Sequence, residues 1–192
     1  MFFSDLQASS VFLWAAVRRP FVVSLWRTHP MQSVIKFNSR TQGASFLSNF
    51  YRSPINIPVE FPVLGTSEKE VLRITFSTVE GAYQFMKFPV DHRTITLARL
   101  FADYNGFQAK AAGKSITVRP DWHAIKVNVM TGLIKAKFNQ NKPLRQQLID
   151  TNDCLLWHDS PWDTYWGFDD RGRGYNMLGQ ILMRLRAELA TK

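Results

Sequence analysis

Two acidic residues stand in surroundings where carboxylates are uncommon. Glu80 opens the apolar stretch Val79-Glu80-Gly81-Ala82-Tyr83-Gln84-Phe85, and Asp163 lies among large rings in Pro161-Trp162-Asp163-Thr164-Tyr165-Trp166-Gly167. Burial penalises the charged form of a carboxyl group unless donors compensate, so each is either a satisfied structural acceptor or a tuned catalytic group. The chain also has six tryptophans, several next to polar residues, as in Asp121-Trp122, Trp157-His158 and Trp162-Asp163. Aromatic rings with carboxylates suit a flat, π-faced ligand that carries a sugar. Breaking the bond between a base and its sugar develops positive charge at the anomeric carbon. A nearby carboxylate stabilises that charge or activates water, and a stacked, hydrogen-bonded base leaves more easily. The competing reading is that the tryptophans fill the core and the two acids cap local turns.

Other chemistries find little support. There is no phosphate-binding GxxxxGK[ST] loop, no GxGxxG after a strand, no HExxH and no Cys/His ligand cluster, which disfavours P-loop, dinucleotide and zinc chemistry. Cys154 is the only cysteine, so no intrachain disulfide forms, which fits a reducing cytoplasm. No thiol-enzyme signature flanks it, and the preferred reading is a core cysteine in a short buried strand. Gly-Arg-Gly-Tyr-Asn at 172–176 has the look of a Gly-rich turn whose backbone N–H groups receive an anion at a helix start, or of a flexible lead into that helix.

The elements that must position these residues follow from periodicity. Val34–Phe37, Ile55–Phe61 and Val71–Phe76 are short, β-branched or aromatic and bounded by turn residues, and they predict strands, with Gly65–Glu70 as a turn. From Ser77 the pattern is helical. Ser77 or Thr78 caps a helix in which Val79, Tyr83 and Met86 recur and Glu80 and Gln84 share a face. Further helices are expected at about 94–103 and 106–114. A long one begins near Pro120, with Trp122, Ile125, Val129, Leu133 and Ala136 as its stripe. A short one has Pro143 in its first turn, and a last one over Gly174–Leu189 turns Leu178, Leu182, Leu185 and Leu189 inward. The expected class is α+β, predominantly helical, a single domain with a few short strands in the first half.

The 192 residues suffice for one well-buried domain, here 31–192, preceded by a distinct segment, 1–30. That segment is apolar, with arginines after rather than before its short hydrophobic run, unlike a signal peptide, and the run is too short to span a bilayer. Met31 follows it directly, so it reads either as sequence ahead of the true start or as an apolar extension that docks on a protein partner or a membrane surface. Residues 31–192 hold 21 basic and 14 acidic side chains, a net +7, so the positive field belongs to the domain and suggests a phosphorylated or polyanionic partner, DNA among them.

Read together, seven pieces of the chain resemble the NADAR family of YbiA-like N-glycosidases. They are SNFY at 48–51, TVEGAYQFMKF at 78–88, RPDW at 119–122, VM at 129–130, KFNQN at 137–141, SPWDTYWG at 160–167 and GYNMLGQILMRLR at 174–186. The resemblance implies a compact, mainly helical domain that hydrolyses N-glycosidic bonds. The substrates it implies are ribosylaminopyrimidine phosphates of riboflavin synthesis or ADP-ribose attached to guanine in nucleic acid, and it implies no metal or redox cofactor. By position it makes Glu80 and Asp163 the catalytic acids and Trp122 and Trp166 the stacking aromatics. Asn49, Gln84, Lys87 and Asn176 would hold ribose or phosphate. Three positions depart from the family pattern: Gly81 where His is usual after the Glu, and His158 and His123 where Glu is frequent. These departures imply a less negative pocket, with either a shift towards a more anionic ligand or a vestigial activity.

Overall fold

The alternation in Ile55–Pro62 puts Ile55, Ile57, Val59 and Phe61 on one buried face of a strand, β2 (Ile55–Pro62), with Asn56, Pro58, Glu60 and Pro62 on the other, more exposed one. It pairs antiparallel with β3 (Lys69–Phe76), in a register that sets Ile57 opposite Ile74. In this computed structural model, residues 33–191 are described. The apolar segment 1–30, with the partner and membrane-surface readings attached to it, lies outside them. A second two-stranded sheet joins β1 (Val34–Phe37) to β4 (Leu155–His158), which run parallel with Phe37 opposite His158. Among the described residues six α-helices follow: α1 (Val79–Phe85), α2 (Ile95–Asp103), α3 (Gly106–Ala112), α4 (Trp122–Gln140), α5 (Lys142–Ile149) and α6 (Met177–Ala190). The architecture is α+β and mainly helical, with three of the four strands in the first half. No helix among the described residues is long and apolar enough to cross a membrane.

α1 is the hub. Thr78 Oγ1 accepts the Gly81 N–H at 3.0 Å and starts the helix, and a cap of this type contributes about 1 kcal/mol. All seven residues of α1 are buried, with α2, α3 and α4 packed around it. A helix enclosed on all sides has no solvated face, so its two polar residues, Glu80 and Gln84, are carried inside with it. Phe85 meets the rings of Phe61, Phe76, Phe88 and Phe101 at centroid distances of 5.7–6.2 Å, and burial of such a side chain contributes about 1.5–3 kcal/mol.

Two expectations shift in detail. On α4 the fully enclosed residues are Met130, Leu133, Ile134, Lys137 and Phe138, along with Trp122, while Ile125, Val129 and Ala136 are half-buried at the edge of that face. The helix crosses its neighbours and buries different flanks along its length, so one straight stripe does not describe it. Cys154 is half-buried and lies just before β4 instead of inside it. The last helix does bury Leu178, Leu182, Leu185 and Leu189 together, but it starts at Met177.

Gly81 owes its place to close approach. A Cβ there would meet the Phe101 carbonyl oxygen at 2.6 Å, inside the contact between α1 and the end of α2. The histidine that family resemblance leads one to expect at 81 therefore does not fit while α2 stays where it is. Gly81→Ala should lower stability by about 1–3 kcal/mol through overpacking, even though alanine is the better helix former by about 1 kcal/mol. Urea unfolding midpoints measure this; an unchanged or raised midpoint would mean that α1 and α2 separate at no cost.

Candidate active site

Burial of α1 makes Glu80 unusual. Its residue is only 4% exposed, and the Gln84 Nε2 one turn later donates to its Oε1 at 2.6 Å. Loss of hydration raises its pKa above the usual carboxyl range. Lys110, the Gln84 hydrogen bond and Lys87 pull in the other direction, and Asp163 adds to the rise. Asn49 meets the same helix start, because its carbonyl accepts the Glu80 N–H at 3.1 Å. Its side-chain Nδ2 points at the Met130 sulfur at 3.3 Å, and its Oδ1 is buried without a partner, as is Oε1 of Gln84.

The segment 159–167 is irregular but held at many points. Asp163 Oδ1 accepts the Trp166 N–H at 3.4 Å, and its Oδ2 forms an ion pair with Lys110 Nζ at 3.4 Å. It is thus both a turn acceptor and a pocket group, with a side chain 31% exposed. The N–H groups of Tyr175, Asn176, Met177 and Leu178 donate to the carbonyls of Thr164, Gly167, Tyr165 and Trp166 at 2.8–3.2 Å. In Gly-Arg-Gly-Tyr-Asn the amides of Gly172, Tyr175 and Asn176 are spent on backbone carbonyls and that of Arg173 on the Asp169 carboxylate, which does not favour the anion-receiving turn among the sequence expectations. Asn176 is left-handed at φ 48°, and its side chain bridges β4, with Nδ2 donating to the Leu156 carbonyl at 2.8 Å and Oδ1 accepting the His158 N–H at 3.0 Å.

These pieces enclose a cavity of about 310 Å³. Glu80, Asp163, Asn49 and Trp166 line it. The other residues named from the sequence stand in the layer behind. Gln84 holds Glu80, Trp122 packs on Tyr83 with centroids 5.0 Å apart, Lys87 Nζ lies 5.6 Å from the Tyr83 ring centroid, and Asn176 holds His158. Burial lowers the Lys87 pKa, partly offset by Glu80. Lining residues to which the sequence gives no site role include Lys110, Tyr83, Trp162 and Asp159, and His158 stands out there only as a departure from the family pattern. Tyr83 stands edge-on to Trp166 at 5.7 Å, and burial with the nearby Glu80 pushes its hydroxyl pKa upward. Lys110 gave no signal because "QAKAAGK" has the composition of a solvated helix face. At the rim, Trp162 is 97% exposed, and Arg40 lies over the ring of Phe107, itself edge-on to Phe50.

Beneath this site a lysine is wholly buried. Lys137 Nζ donates to the Ser48 carbonyl at 2.8 Å and faces the rings of Tyr51 and Phe138. Burial lowers its pKa from 10.5 to about 7. The bond anchors the Ser48-Asn49 turn against α4 from below. Between pH 7 and 10.5 the unfolded chain holds the proton that the folded chain releases, so stability from this group rises with pH across that window. Lys137→Met should flatten that rise, as read from thermal unfolding at pH 7 and pH 10. An identical pH slope in both proteins would show that Lys137 has an ordinary affinity for its proton.

Fold and site together define a mainly helical α+β domain whose acidic, aromatic cavity can seat a flat heterocycle against two carboxyl groups. The NADAR domain family model matches residues 36–190, and the chain belongs to that family. It is 30% identical over 163 residues to the N-glycosidase YbiA of Escherichia coli, an alignment covering 84% of this chain and 92% of YbiA. To an N-glycosidase of Nostoc punctiforme it is 33% identical over 116 residues, covering 59% and 74% of the two chains. To a riboflavin biosynthesis protein of Vibrio vulnificus it is 32% identical over 163 residues, 85% of this chain but only 40% of that longer protein. The NMR structure of E. coli YbiA superimposes with a TM-score of 0.65 at 30% identity, covering 86% of this chain and 90% of that one.

Proposed function

We propose that this chain is an N-glycosidase that hydrolyses the bond between a ribosyl C1′ and the nitrogen of a heterocycle. The observation that carries the reading is that Glu80 and Asp163, from elements 83 residues apart in sequence, line one cavity with Trp166 and Tyr83. The relatives named N-glycosidase support it. In this reading the base lies against Trp166 and Tyr83, with the ribose towards Asp163. Asp163 faces the anomeric carbon, stabilises the oxocarbenium-like charge and orients the attacking water. Glu80, whose proton is held by burial, supplies a proton to the departing nitrogen; general acid catalysis of this kind contributes about 10²–10⁴-fold. Lys110 Nζ, the ammonium at the mouth, keeps Asp163 in place and offers a counter-charge to a phosphate on the ribose.

The substrates proposed are a ribosylaminopyrimidine phosphate of riboflavin synthesis or ADP-ribose linked to guanine. A second reading has the same chemistry on a modified base within nucleic acid. It is favoured by the bare Trp162 ring and the Arg40–Phe107 stack on the rim, since exposed aromatics with cations bind unpaired bases. The net +7 of residues 31–192 works in the same direction.

Purified protein incubated with ribosylaminopyrimidine 5′-phosphate, and separately with an oligonucleotide bearing ADP-ribosyl guanine, should release the free base or free ADP-ribose, identified by mass spectrometry. Glu80→Gln should lower kcat by about 10²–10⁴-fold, and Asp163→Asn should lower it as well. The alkaline limb of the wild-type pH profile should sit above the ordinary carboxyl range and disappear in Glu80→Gln. Equal rates for wild type and Glu80→Gln would remove Glu80 from the chemistry, and no release from either substrate would overturn the assignment.

A further inference from the structure

The cavity lining includes an imidazole whose tautomer is fixed by geometry. His158 closes β4, and its ring stacks on Phe37 at 5.2 Å with an interplanar angle of 24°. Its Nδ1 lies 3.2 Å from the Trp166 carbonyl oxygen. A carbonyl oxygen only accepts, so the proton of a neutral imidazole must sit on Nδ1, and Nε2 then carries the lone pair. The ring cannot easily turn away. Its backbone N–H is held by Asn176 Oδ1, and Gly167 passes so close that a Cβ there would meet Nδ1 at 3.0 Å. His158 lines the cavity, and no described residue gives Nε2 a hydrogen bond.

We propose that His158, held as the Nδ1–H tautomer, is a specificity-determining residue whose Nε2 accepts a hydrogen bond from an N–H group of the bound heterocycle. The ligand class is an amino-substituted heterocycle; a ring with only an acceptor at that position would leave Nε2 unpaired. Burial lowers the His158 pKa. The groups facing it are divided: Asp163, Asp159 and the Trp166 carbonyl favour its protonation, and Lys110 from α3 opposes it. Glu80 from α1 lines the same cavity. The outcome is an uncharged ring near neutral pH. The inference rests on the glycosidase reading only for naming the heterocycle as the base that leaves, and it is testable without turnover.

The test uses the full chain and two probes that differ in one donor group, 2-aminopyrimidine and 2-methoxypyrimidine. Long-range ¹⁵N–¹H spectra of histidine-labelled protein at pH 7 should show His158 with Nδ1 protonated and Nε2 bare. The aminopyrimidine alone should move the Nε2 resonance. It should also bind about tenfold more tightly than the methoxy probe, the size expected for one buried hydrogen bond. In His158→Leu that preference should fall to near unity. In His158→Gln, whose amide oxygen can reach the same place, part of it should return. Protonating His158 at low pH should abolish the preference in wild type and leave the Gln variant unaffected. A protonated Nε2 at pH 7, a preference unchanged in His158→Leu, or no response of Nε2 to saturating aminopyrimidine would each overturn the proposal. If the preference holds but no N-riboside is cleaved, the acceptor stands and the glycosidase reading falls. If ribosides are cleaved while the preference ignores His158, only the acceptor falls.

Discussion

The site depends on how one irregular segment satisfies its backbone. Residues 164–167 belong to no helix or strand, yet they pass beside α6 and β4, where unpaired carbonyls would be costly. The N–H groups of Met177 and Leu178 in the first turn of α6, which have no partners inside their own helix, and those of Tyr175 and Asn176 just ahead of it donate to those four carbonyls. Two deficits cancel, and the segment acquires a fixed conformation without being regular. Trp166 shows the result most clearly, since its carbonyl accepts from Leu178 N at 3.2 Å and also meets His158 Nδ1. Asp163, Trp166 and His158 therefore take their positions from the same docking. Asn176, the left-handed residue ahead of α6, ties that unit to β4.

The other wall of the cavity obeys a packing constraint. α1 is too short to be stable alone, so it exists because α2, α3 and α4 enclose it, and enclosure carries Glu80 away from water. The same burial that stabilises the helix raises the proton affinity of its carboxyl group. Gly81 is part of this arrangement, since the close approach of the Phe101 carbonyl leaves no room for a side chain. Gln84 supplies the one direct donor to Glu80, and its own unpartnered Oε1 shows that the polar groups inside α1 are not all matched within the chain.

Much of the fold was legible because it depends on local periodicity. The alternation in Ile55–Pro62, the cap at Thr78 and the leucine spacing of α6 need no knowledge of distant residues. Pairings across more than a hundred positions are different. Nothing in Val34–Phe37 says that it lies parallel to Leu155–His158, and that pairing is what brings His158 to the cavity. The site was legible in the same uneven way. Composition singled out Glu80 and Asp163, because an acid among rings is conspicuous, and family resemblance added Asn49 and Trp166; all four line the cavity. Trp122 and Asn176 stand one layer back because sequence marks a residue as unusual without saying which side of its element meets the cavity. Lys110 was invisible for the opposite reason, as its surroundings are ordinary and only the fold sets it beside Asp163.

Charge distribution explains why an imidazole suits position 158. The domain is positive overall, but the cavity is not: Asp159 and Asp163, beside the proton-holding Glu80, line it against Lys110, the one lysine or arginine among its described lining residues. A carboxylate at 158 would add a further negative charge to this space, and it would raise the proton affinity of its acidic neighbours. A neutral imidazole removes that charge while keeping a lone pair at the wall. The Trp166 carbonyl fixes the tautomer, and that carbonyl is itself held by the start of α6. The backbone docking that shapes the segment thus also decides which nitrogen the cavity presents. Compared with a carboxylate in the same place, the imidazole changes the charge of the site without giving up an acceptor.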